Sequence, residues 1–99
     1  MIVAAENRCL MEADELRRCL DQEVEAWCQK DHATLRKKLD KVVTYTRGEG
    51  PSWYEVEVQL LEDETEYVHV GIAVDDGGQR VHKPICHSFL VYKDGRVDR

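Results

Sequence analysis

Hydrophobic residues recur at helical spacing through the first third of this 99-residue chain and at strand spacing through the rest. Cys9, Ala13, Leu16, Leu20, Val24 and Trp27 fall on one stripe at about 100° per residue. Glu12, Asp14, Arg18, Asp21 and Glu25 lie mostly off that stripe, so an amphipathic helix is predicted over residues 6–29. Asp31 then supplies an oxygen able to cap a second helix over residues 32–40, where Leu35 and Leu39 share a face. Lys37, Lys38 and Lys41 near its end suit the negative pole of the helix dipole.

After Lys41 the apolar period falls to two. Residues 42–47, VVTYTR, are rich in β-branched side chains and run into Gly48, Gly50 and Pro51. In residues 53–61, Tyr54, Val56, Val58 and Leu60 alternate with Glu55, Glu57 and Gln59. Val68, Val70, Ile72 and Val74 repeat the pattern in residues 67–75. Pairing Leu60 with Val68 puts both apolar sets on one side of the sheet. A last strand is predicted over residues 85–92, before the tight-turn signal Asp94-Gly95. Helix, helix and four strands read as a single α+β domain over residues 1–99, with two helices packed on an antiparallel meander.

Composition narrows the function classes. A net charge of −6, with the cations dispersed among acids, disfavours nucleic acid as a partner. The opening residues lack a signal-peptide pattern and no stretch has the length of a membrane span, so the expectation is a cytoplasmic chain with no membrane partner. Cys9, Cys19, Cys28 and Cys86 show neither C-x-x-C nor zinc-type spacing, and they read as reduced thiols. Nothing in the pattern asks for a cofactor.

The run EAWCQKDHATLRKKL (residues 25–39) and the terminal HSFLVYKDGRVD (residues 87–98) resemble the NTF2-like, cystatin-like superfamily. Trp27, Asp31 and Leu35 are similar to its first helical junction, and DGRV to its closing hairpin. The resemblance implies a curved sheet wrapped around a helix. It also implies either a domain that only binds or dimerises, or a pocket enzyme of the isomerase, dehydratase or hydrolase sort. The chain departs from those enzymes after its first strand, where GEGPS (residues 48–52) replaces a third helix and an extra hairpin that help close the pocket.

Two constellations carry possible chemistry. If the last two strands pair His69 with His87, Glu57 and Gln59 lie beside them, and two imidazoles with the Glu57 carboxylate make a divalent-metal set. If instead a two-residue Gly77-Gly78 turn joins those strands, His87 faces the core beside Val68. There it would line a small cavity with Tyr45, Tyr54 and Asp40, acting on a small apolar ligand as general acid or base. Against both stands a non-catalytic domain that forms a homodimer through its exposed sheet face. That face would carry Trp53 and Leu61 with either Ile85, Phe89 and Val91 or Leu90 and Tyr92.

Overall fold

Local sequence signals explain most of what forms. In the computed structural model, which describes residues 13–48, 53–76 and 84–99, the apolar stripe becomes helix α1, Ala13–Cys28. Its buried residues include Leu16, Leu20, Val24 and Trp27. The stretch from residue 6 to residue 12, with Cys9, lies outside the described residues, as does the Gly77-Gly78 turn. Asp31 caps α2, His32–Lys38, by accepting a 2.8 Å bond from the Thr34 amide. That bond and the Thr34 hydroxyl together hold the Asp31 carboxyl below its ordinary pKa. The second helix ends at Lys38, short of residue 40, because Leu39 leaves helical geometry while its side chain stays buried.

Among the described residues five strands follow, one more than expected: β1 Val43–Arg47, β2 Tyr54–Asp63, β3 Tyr67–Asp75, β4 Ile85–Tyr92 and β5 Val97–Asp98. They form one antiparallel sheet in chain order. The short fifth strand exists because Gly95 adopts a φ of 97°, open to glycine at little cost. The turn closes with Tyr92 and Arg96 bonded through their backbones, and the chain runs back along β4.

The β2–β3 register shifts by two residues and keeps its faces. Of the two β3–β4 alternatives, the His69–His87 pairing is off by three and has the β4 faces reversed, while the short-turn pairing is off by four and has them right. Leu60 pairs with Val70 rather than Val68, and Val58 with Ile72. A bulge between Leu60 and Glu62 takes up an extra residue, so β2 continues to Asp63 before a tight Glu64–Tyr67 turn. Between β3 and β4, His69 pairs with Leu90 and His87 with Ile72. Nine residues, 76–84, separate these strands, so a two-residue connection does not set the register. Moves by an even number of residues keep every side chain on its face, so the β2 and β3 core positions stand, whereas in β4, apolar on both faces, the structure decides for Phe89 and Val91.

The core lies between the helices and one sheet face. Leu16, Leu20, Val24, Trp27 and Leu35 pack with Val56, Val58, Val70, Ile72, Phe89 and Val91 in one buried cluster. Phe89 and Val91 belong to this covered face, which leaves Cys86, Ser88, Leu90 and Tyr92 on the other. No helix among the described residues is long and apolar enough to cross a membrane.

Candidate functional site: a buried acid between two tyrosines

The most connected polar group in the covered layer is a residue the sequence pattern hides. Glu23 sits on α1 in the row Cys19–Glu23–Trp27, at four-residue intervals, so its carboxyl enters the apolar interface at 3% exposure. Tyr45 donates to its Oε1 at 2.5 Å, and Tyr54 donates to its Oε2 at 3.0 Å. The Arg47 guanidinium reaches Oε2 at 2.7 Å from the solvent side. Trp27 Nε1 donates to the Tyr45 hydroxyl at 2.8 Å, and Cys19 is in hydrogen-bonding contact with Tyr54.

Strand pairing builds this arrangement. Arg47 lies opposite Tyr54, and Tyr45 opposite Val56, so three groups from two adjacent strands converge under α1. Burial pushes the Tyr54 hydroxyl well above its ordinary pKa, and its bond to the Glu23 carboxylate adds to this. The same two causes raise Tyr45. Desolvation likewise raises the Cys19 and Cys28 thiols. No buried side-chain nitrogen or oxygen among the described residues lacks a partner. The carboxylate therefore has its charge met by Arg47 and its lone pairs filled by phenols. It is held rather than poised.

The sequence-derived candidates divide differently. Tyr45 and Tyr54 do converge, but Asp40 is exposed in the turn after α2. His87 is on the helix side, as the short-turn register expects, yet opposite Ile72 rather than Val68. Two strands across and four residues along the pleat put it roughly 16 Å from Tyr54. His69 and Glu57 lie on the open face and His87 on the covered one, so these three do not surround a common point. No group of three or more potential metal ligands occurs among the described residues.

A second glutamate sits on the open face. The bulge turns Glu62 outward, where its carboxyl is 3.4 Å from His69 Nδ1 and 3.4 Å from the Tyr67 hydroxyl. Comparison with family models, with curated proteins and with solved structures gives no match. What the described elements define is a class by architecture: an α+β chain with two described helices on one face of a five-stranded antiparallel meander.

Proposed function

We propose that the chain is a small non-catalytic binding domain that works through the open face of its sheet. One observation carries the reading. Helices cover one face, and the other presents Leu61, Leu90, Tyr92, Ala73 and Cys86 around Gly71 at strand positions that no described element overlies. Leu61 is 49% exposed and leans over Gly71, where an added Cβ would meet its side chain at 3.0 Å. A depression of about 390 Å³ runs beside it, lined by Gln59, Leu61, Gly71, Ala73, Cys86 and Ser88 among others.

The acid–phenol cluster supports the non-catalytic side of this reading, because its bonds all close within the protein. The enzyme alternative needs His87 beside the tyrosines, and the register keeps them apart. A distant kinship with the NTF2-like superfamily fits the helix-on-sheet layering and forms part of the proposal. The unpaired thiols of Cys19, Cys28 and Cys86 support a cytoplasmic location.

Replacing Leu61 and Leu90 together with serine tests the reading. The variant should keep its unfolding free energy, from urea titration, within about 1 kcal/mol of the parent's and lose the brightening of Nile red expected of the parent. Unfolding of the variant, or a parent that leaves the dye dark, would count against the open face as a binding surface.

A further inference from the structure

Charge on the open face selects among its possible occupants. At the paired strand positions of that face stand Glu55, Glu57, Glu62, Asp75 and Asp98, and no Lys or Arg. Arg96 reaches its end, stacked 4.0 Å over the Tyr92 ring. Glu55 and Asp75 are engaged within the protein. Glu57 matters most by position. It lines the apolar depression beside Leu61 and also an adjoining one of about 560 Å³, which Thr44, Thr46, Glu55 and Asp75 share. The two depressions meet at Glu57 and Ala73 and make one trough, apolar at one end and acidic at the other.

A second copy fits this trough poorly. Two open faces laid together would set carboxylates against carboxylates, with no described Lys or Arg at the facing strand positions and His69 already beside Glu62, and like charges so juxtaposed cost several kcal/mol. An open face laid against another copy's helix layer is a head-to-tail contact, which does not close into a dimer. Nucleic acid is repelled by the same charge. The complement is a segment with an apolar stripe and a basic flank, lying on the open face as α1 lies on the covered one. Its apolar side chains would fill the groove between Leu61 and Cys86, and a lysine or arginine beside them would meet Glu57.

We infer that the open face receives a basic amphipathic segment of another protein, with Glu57 as the charge that sets its orientation. This rests on the open face being the binding surface, as proposed above. Cys86 is an exposed reporter on that face, whereas Cys28 is buried and Cys19 half-buried. The test is alkylation of the folded full chain, with modification at Cys86 read by mass spectrometry. It is run alone, with a synthetic amphipathic helix of leucine and lysine, and with its leucine–glutamate counterpart.

The leucine–lysine helix should slow alkylation of Cys86 about tenfold at saturation, and the leucine–glutamate helix should not. Glu57→Lys should weaken the protection by the lysine helix about tenfold in apparent affinity, and Glu57→Gln by less. Equal protection by both helices would overturn the role of charge and leave the apolar groove standing. Protection of Cys86 with no peptide present, together with a dimer mass by light scattering, would replace the basic segment with a second copy and keep the open face as the surface. Fast alkylation of Cys86 under every condition would remove both the segment and the surface.

Discussion

Two glutamates in this protein each accept from tyrosine and pair with a basic side chain, and they sit on opposite sides of one sheet. Glu23, on the covered side, holds Tyr45, Tyr54 and Arg47 at 2.5 to 3.0 Å, with its side chain 3% exposed. Glu62, on the open side, holds Tyr67 and His69 at 3.4 Å with half its side chain exposed. The chemistry is nearly the same and the energetics are not. Water competes for every bond of Glu62, while Glu23 has given up its hydration and depends on its partners. The same residue pattern is therefore a clamp on one face and a loosely held surface group on the other.

A third carboxylate, placed in the covered layer without partners, should have the largest effect. Val58 is fully buried in the core, so Val58→Asp should unfold the chain, since an unpaired buried charge costs a large part of the ~5–15 kcal/mol that holds such a domain. A cooperative thermal transition in that variant would show that the covered face is not the core. Glu23→Ala comes next. It leaves the Tyr45 and Tyr54 phenols without their acceptor at the edge of the core, while Arg47 turns to water, and urea unfolding should report a loss of about 3 kcal/mol.

Alkali should act on the covered side. The folded state holds the Tyr45 and Tyr54 hydroxyls above their ordinary pKa, whereas in the unfolded chain they ionise near that value. Above about pH 10 the unfolded state therefore binds fewer protons than the native one, and stability falls as pH rises. The contribution is complete below that pH and disappears as pH climbs through the folded-state values. The part of the tyrosinate absorbance that belongs to Tyr45 and Tyr54 should accordingly rise late, together with loss of structure. Ionisation of all four tyrosines by about pH 11 with the fold intact would contradict the clamp.

The smallest effects belong to the open face. Glu62→Gln should change stability by less than about 0.5 kcal/mol, measured by urea titration. Gly71→Ala should be close to neutral as well. The side chain it meets, Leu61, is exposed and free to swing away, and alanine costs the unfolded chain less entropy than glycine. A loss above about 2 kcal/mol in either variant would place these residues in the structural core after all.

The division between faces was legible for α1, β2 and β3, whose stripe and alternation survive a shift of an even number of residues, but not for β4, where Ile85, Phe89 and Val91 are as apolar as Cys86, Leu90 and Tyr92. Register was not. The bulge at Leu60 and Glu62 has no local signature in a run of strand-forming residues, and the nine residues between Asp75 and Ile85 contain a Gly-Gly pair that invites a shorter turn. The shift matters little for Val70, but it decides whether His69 meets His87 or Leu90. Tyr45 and Tyr54 were legible as partners from their strands. Glu23 was not, since an acid on an amphipathic helix reads as solvent-facing. The available signal was its place between Cys19 and Trp27, in a four-residue row that is otherwise apolar. The fifth strand was missed because two residues are too few to show a period.

The proposed non-catalytic function requires the acid–phenol cluster to hold the fold. The most direct measurement is the unfolding free energy of the Tyr45→Phe, Tyr54→Phe double variant. Groups kept for catalysis commonly cost stability, and their removal is neutral or stabilising; groups kept as a clamp cost stability when removed. The account expects a loss of about 2 kcal/mol or more, as the Glu23 carboxylate loses both donors inside the covered layer. A double variant as stable as the parent, or more stable, would contradict it and return the cluster to consideration as an active site.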